Sequence, residues 1–219
     1  MHAIAAEPWH PEMELPKPLL RSQLMRAGGY VVMDGLISEE TKNALLAEAS
    51  SRRAISERGA VAESDGTEGR GGCPARAFRS ASGGPLHWQI YGCQQTSQLL
   101  SRLCGVPVEP LGGGTYSYYE MRGDFLALHR DVVTCDLAMI TCLSQTGDAD
   151  GPGRLMVYSS YVREPLSVVR AAGACAATPV PLDPGQTVAL LGGIVPHEVT
   201  PMAADQERIV AVMCYRMKT

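Results

Sequence analysis

The sequence predicts a mainly β fold in which an N-terminal helical layer supports a sandwich or barrel of antiparallel strands. Three observations predict it. From Leu111 onward, short runs rich in β-branched and aromatic residues alternate with Gly, Pro and Asp turns: TYSYYEM, FLALHRDVV, LAMITCLS, RLMVYSS, PVPL, TVALLGG and RIVAVMCYR. No helical segment lies between them to carry parallel crossovers, so they are expected to pair antiparallel. Before Leu111 the apolar spacing is helical, and 219 residues with 45% hydrophobic content suffice for one well-buried domain.

Taken in order, Pro18 suits the first turn of a helix whose Leu20, Leu24 and Ala27 share a face and which Gly28-Gly29 ends. Tyr30 to Leu36 reads as a short strand. Ser38 is the N-cap of a second helix running to about Ser51, with Glu39 and Glu40 at its positive end. Gln95 to Cys104 forms a third helix, stopped by Gly105-Val106-Pro107. Between the second and third helices lies SERGAVAESDGTEGRGGCPARAFRSASGG, without periodicity, so residues 57–84 are expected to be a mobile loop that acts as a lid. The organisation expected is a single domain over residues 1–219, with 1–110 as helical support and 111–219 as the β core.

Composition excludes several classes. A net charge of −4 and a pI near 5.7 leave no basic stripe for nucleic acid. Arg70, Arg76 and Arg79 are read as a solvated loop, with a clamp for an anionic substrate as the rival. No segment approaches the ~20 apolar residues that span a bilayer. The N-terminus MHAIAAEPWHPEMELPKP has prolines and acids where a signal peptide has a basic start and an apolar core. The seven cysteines (Cys73, Cys93, Cys104, Cys135, Cys142, Cys175 and Cys214) include no C-x-x-C pair. They are read as reduced thiols, mostly packed as small hydrophobes, in a cytoplasmic protein.

The segment LALHRDVVTCDLAMITC carries the chemistry. Its His129-Arg130-Asp131 resembles a kinase catalytic loop, but the position where such a loop needs Asn for magnesium is Asp136, and no Asp-Phe-Gly follows. A metal site suits it better. His129 and Asp131 stand at i and i+2, on one face of an extended segment. Only one histidine lies beyond them, His197 in GGIVPHEVTP. Two imidazoles and one carboxylate form the facial set that leaves three positions of an octahedral Fe(II) open. Arg208 follows His197 by 11 residues and begins the last strand. Arginine recognises carboxylates through two parallel N–H groups, which a dicarboxylate chelating the metal by its keto-acid end would meet.

The combination resembles the Fe(II)/2-oxoglutarate dioxygenases, and among them the prolyl-4-hydroxylase-like group. The residues that carry the resemblance are YEMRGDFLALHRD, GPGRLMVYSS, LDPGQTVALL and PHEVTPMAADQERIV, in the family's order over about residues 111–219, with GGYVVMDGLISEE as a looser start. The resemblance implies a double-stranded β-helix, or jelly roll. It implies Fe(II) held by His129, Asp131 and His197, and the 2-oxoglutarate C5 carboxylate held by Arg208. Tyr119 matches a tyrosine beside the cosubstrate, and Tyr116 or Tyr118 is expected to share that role. The family's tyrosine on the strand after H-x-D has no match in LAMITCLS, so Thr141 or Cys142 stands in for it.

The activity implied is O₂-dependent hydroxylation of an unactivated C–H bond, with release of succinate and CO₂. The substrate expected is small: a free or carrier-bound amino acid or a natural-product intermediate. A peptidyl-prolyl hydroxylase and a non-catalytic metal-binding jelly-roll sensor are the alternatives. Neither nucleic acid nor membrane is an expected partner. Among the remaining candidates, His87-Trp88 is either a substrate contact or a buried structural pair, and Glu198 is structural. Arg122 and Arg130 are surface charges, and His2 and His10 are solvated.

Overall fold

The structure is a computed structural model and describes residues 15–61, 74–147, 151–162 and 164–218. Its helical layer opens with α1 (Lys17–Leu20) and α2 (Gln23–Arg26), where one continuous helix is expected. Ser22 is the reason: its hydroxyl accepts the Met25 amide at 3.1 Å and caps α2. A serine that bonds the backbone locally competes with helix continuation. After β1 (Tyr30–Met33), Ser38 caps α3 (Glu39–Arg52) by accepting the Thr41 amide, with Glu39 and Glu40 in the first turn as expected.

The stretch expected as a mobile loop contains two strands instead. β2 (Glu57–Val61) and β3 (Arg76–Ser82) pair antiparallel, from Glu57 opposite Ser80 to Val61 opposite Arg76. Residues 62–73 of the expected lid lie outside the described residues. Next come α4 (Pro85–Tyr91) and α5 (Gln94–Cys104); Gly105 ends α5 at φ 72°, a conformation that costs a residue with a Cβ.

The remaining strands are β4 (Val108–Pro110), β5 (Thr115–Tyr119), β6 (Phe125–His129), β7 (Leu137–Gln145), β8 (Leu155–Val157), β9 (Thr178–Val180), β10 (Thr187–Leu190), β11 (His197–Val199) and β12 (Arg208–Met217). One further helix, α6 (Leu166–Ala172), lies between β8 and β9. Among the described residues the twelve strands form one antiparallel sheet, ordered β1-β10-β7-β12-β5-β3-β6-β11-β8-β9, with β2 beside β3 and β4 beside β12. The sheet curls on itself and makes the jelly-roll core. β3 joins its two halves: Arg79 to Ser82 pair with β5, and Arg76 and Ala77 pair with β6. The strand core therefore begins well before residue 111.

The main core fills the space between the helices and one face of β7, β10, β12 and β5, with Leu45, Leu100, Met139 and Met213 fully buried. Tyr116 and Tyr118 point into this layer. The Tyr116 hydroxyl donates to Glu48 Oε1 at 2.6 Å, and the Tyr118 hydroxyl donates to the Ala49 carbonyl at 2.7 Å. Glu48 also accepts the amides of Leu86 and His87, which docks α4 on α3. Burial works to raise the Glu48 pKa, but the bonds from Tyr116 and these amides outweigh it and hold it below the usual value. A lowered folded pKa stabilises above the ordinary carboxylate range, and that stability is lost as the pH falls through the folded value. Urea midpoints measured from pH 7 down to pH 3 should thus fall less steeply for Glu48→Gln than for the parent. Equal slopes would show that this carboxylate does not couple folding to pH.

One expectation about the cysteines is overturned: Cys135 and Cys214 form a disulfide, with a Cα–Cα distance of 5.1 Å. They are 79 residues apart in sequence, and only strand pairing brings them together. β12 runs beside β7, and the Asp136 amide donates to the Tyr215 carbonyl, which leaves Cys214 facing Cys135. Cys93, Cys104, Cys142 and Cys175 are free, and Cys73 lies outside the described residues. No helix among the described residues is long and apolar enough to cross a membrane.

Candidate metal centre

His129 ends β6 and His197 begins β11, and the two are direct partners in the ladder between those strands. Asp131 lies just past the end of β6, where its amide donates to the Gly192 carbonyl at 2.8 Å. Its carboxylate lies over Gly192, and a Cβ there would come within 1.9 Å of Asp131 Oδ2, so the position requires glycine. Asp131 Oδ1 is 3.5 Å from His129 Nε2 and 3.7 Å from His197 Nε2. One ligand atom from each residue lies within 4.8 Å of the others. The end of β6 with the segment that follows it, and the start of β11 far along the chain, thus converge on a single point.

The hydrogen bonds of the rings decide which nitrogen faces that point. His129 Nδ1 is 2.9 Å from the Ala127 carbonyl, and His197 Nδ1 is 3.0 Å from the Val195 carbonyl. A carbonyl only accepts, so each Nδ1 carries the proton and each Nε2 presents a lone pair. Burial, with His129 alongside, lowers the His197 pKa to about 4, which keeps that ring neutral at physiological pH. Two imidazole Nε2 atoms and one carboxylate oxygen on one side of an open space suit an octahedral Fe(II) with free positions.

The triad lines a cavity of about 130 Å³ inside the curled sheet, walled by apolar side chains such as Ile140, Leu155 and Val210. Arg208 and Tyr119 line the same cavity and are opposite one another in the β12–β5 ladder. Arg208 is 3% exposed, and its Nη1 donates to the Gly153 carbonyl at 2.8 Å. Its buried Nε has no hydrogen-bond partner among the described residues. A guanidinium keeps its charge at any physiological pH, so a buried one with an unused donor favours an anion. Tyr119 is fully buried and stacked on Phe78 at 4.9 Å between ring centroids, and burial pushes its phenol pKa up.

The other expected contacts divide by face. Tyr116 does not reach the cavity, because strand alternation directs it to Glu48 on the helical side, and Tyr118 goes the same way. Thr141 also faces the helices, accepting from the Tyr91 hydroxyl at 2.7 Å and lying 2.8 Å from Thr187 Oγ1. Cys142 remains beside Arg208; burial raises its thiol pKa, and the guanidinium opposes that rise. Glu198 points out of the cavity and accepts the Tyr158 hydroxyl at 2.6 Å.

His87 is fully buried against Tyr91 and Tyr116 on the helical side, a structural position away from the cavity. Arg122 is exposed, as expected, but Arg130 is not a surface charge. It is 2% exposed and donates to the carbonyls of Ile194, Tyr161 and Glu164, which ties the segment between His129 and Asp131 to two other loops. His2 and His10 lie outside the described residues.

Sequence reasoning missed Gly192, Phe78 and Cys214. The signal for Cys214 was present: Arg208, Val210, Val212 and Cys214 alternate along β12, and all four line the cavity.

No protein-family model matches the sequence, and no curated relative matches it. Solved structures do match. A prolyl-4-hydroxylase from Pseudomonas putida superposes with a TM-score of 0.60 at 18% identity, covering 90% of this chain and 96% of its own. The epimerase SnoN, solved with Fe³⁺, α-ketoglutarate and nogalamycin RO, gives 0.64 at 16% identity, with coverage of 91% and 83%. EctD from S. alaskensis, solved with 2-oxoglutarate and 5-hydroxyectoine, gives 0.65 at 16% identity, with coverage of 95% and 83%. The chain shares the fold of these 2-oxoglutarate enzymes over nearly its whole length.

Proposed function

We propose that the protein is an Fe(II)- and 2-oxoglutarate-dependent oxygenase that hydroxylates an unactivated C–H bond of a small substrate. The observation that carries this reading is a pairing within one cavity: a convergent His129–Asp131–His197 set and the buried, incompletely satisfied Arg208 guanidinium. His129, Asp131 and His197 would hold the metal, and Arg208 would take the distal carboxylate of 2-oxoglutarate, with Tyr119 alongside. Iron bound with 2-oxoglutarate supplies the oxidising chemistry: O₂ oxidises the keto acid to succinate and CO₂ and delivers one oxygen atom to the substrate C–H bond. The chain itself sets the tautomer of each imidazole, holds the cosubstrate in one orientation and walls out water with apolar side chains. Asp131 fills the position that a halogenase of this family leaves open for chloride, so the reading is hydroxylation.

The intact triad together with Arg208 favours an enzyme over a metal-binding sensor. Among substrates, a free or carrier-bound amino acid or a natural-product intermediate is preferred, and a peptidyl-proline is the competing substrate class. Succinate release is the test, measured with Fe(II), 2-oxoglutarate and O₂ against a panel of amino acids, carrier-bound amino acids and proline-containing peptides. The expected result is substrate-dependent succinate with one hydroxylated product. No succinate above the metal-free control, with or without substrate, would sink the assignment.

A further inference from the structure

The two oxygens of Asp131 have different surroundings. Oδ1 faces both imidazole Nε2 atoms, while Oδ2 is turned over Gly192 and lies 3.7 Å from Cys135 Sγ. A disulfide sulfur has no proton to donate, so this contact is packing that limits how the carboxylate can rotate. Cys135 closes the turn after Asp131, its amide donating to the Val132 carbonyl at 2.8 Å, and it is 1% exposed. Its partner Cys214 lines the cavity three alternate positions along β12 from Arg208. One covalent link therefore joins the loop that carries Asp131 to the strand that carries Arg208. Within that loop Val132 and Val133 are 48% and 42% exposed, so apolar burial contributes little to holding it.

We propose that the Cys135–Cys214 disulfide is a positioning device for Asp131, and that its reduction by a dithiol weakens metal binding; the proposal rests on the metal site described above. Cys214 is only partly buried and faces the cavity, so the attacking thiolate reaches its sulfur from there. A mixed disulfide forms, and the second thiol of the reagent resolves it. The reagent is oxidised by two electrons to its disulfide, and Cys135 and Cys214 each end with a proton. Two things then change at Asp131. The loop loses its covalent tether, and the new Cys135 S–H can donate to Oδ2 and draw electron density from the carboxylate that faces the imidazoles. Linkage requires the converse as well: if reduction lowers metal affinity, bound metal must disfavour reduction by the same factor.

The test uses Co(II) as an anaerobic probe, with binding followed through its visible d–d absorption. The protein is compared as purified, after reduction by a water-soluble phosphine (which becomes the phosphine oxide), and as Cys135→Ala/Cys214→Ala. Alkylation under denaturing conditions must show two more thiols after reduction, and far-UV circular dichroism must stay native. The expected result is Co(II) affinity about tenfold lower in both the reduced parent and the double variant, and slower reduction when Co(II) is bound. Unchanged affinity overturns the proposal, as does the absence of two new thiols or loss of the native spectrum on reduction, which would make the link purely structural. Tighter binding with a sulfur-to-cobalt charge-transfer band also overturns it, because the thiols would then be ligands. An oxidised parent that binds no Co(II) at all refutes the metal site itself, a separate outcome.

Discussion

Replacing His197 by alanine is expected to abolish metal binding while leaving the fold intact. Among the described residues, His197 Nε2 is one of three donor atoms that converge on the site, and Asp131 Oδ1 lies 3.7 Å from it. Losing an outer partner of a ligand costs roughly 10–100-fold in metal affinity, so losing a ligand should cost more. The ring is buried and neutral, with its pKa lowered to about 4, so its removal leaves no charge stranded in the interior. Asp131→Ala should be as damaging for a different reason, since it removes the only anion of the set. Equilibrium titration with Fe(II) or Co(II) checks both. A His197→Ala protein that binds metal as tightly as the parent would refute the triad.

Such a test can be designed because the residues proposed as the site stand out in the sequence. H-x-D puts two ligand types two residues apart at the end of β6, and one later histidine and one later arginine each begin a strand, His197 in β11 and Arg208 in β12. The structure brings all four residues to one cavity. Tyr116 was misjudged because residues on alternate positions of β5 serve opposite faces, and its hydroxyl belongs to Glu48 on the helical side. β3 was hidden for a related reason. In RAFRSAS only Phe78 is a large apolar residue, and the polar neighbours find partners that sequence cannot display, such as Arg79 donating to Ser56. A strand stabilised mainly by pairing on both sides has little need of an alternating apolar pattern. The disulfide was illegible because its residues are joined by the register of β7 and β12, a long-range property.

Arg208→Ala is expected to weaken 2-oxoglutarate binding by about 2–4 kcal/mol, the range for breaking a buried charge pair, or roughly 30- to 1,000-fold. The guanidinium is 3% exposed and its Nε is unused among the described residues, so its favourable partner is an anion that enters the cavity. Metal affinity should change little, because Arg208 is not among the converging ligands. Arg208→Lys should recover only part of the loss, since an ammonium cannot make two parallel bonds to a carboxylate. The stability of the ligand-free protein should not follow. A buried donor or acceptor without a partner costs about 1–3 kcal/mol; Arg208→Met removes the unused Nε but leaves the buried Gly153 carbonyl unpaired, so ligand-free stability should change little while cosubstrate binding falls. A loss of binding without a matching loss of stability separates a ligand-holding arginine from a structural one, for which both would fall together. Binding is read from the visible charge-transfer band of the anaerobic Fe(II) protein as 2-oxoglutarate is added, and stability from urea denaturation without cosubstrate. If the Arg208→Ala protein develops that band at the parent's 2-oxoglutarate concentration, Arg208 does not anchor the cosubstrate. Arg154, next to the Gly153 carbonyl that Arg208 now contacts, then becomes the residue to replace.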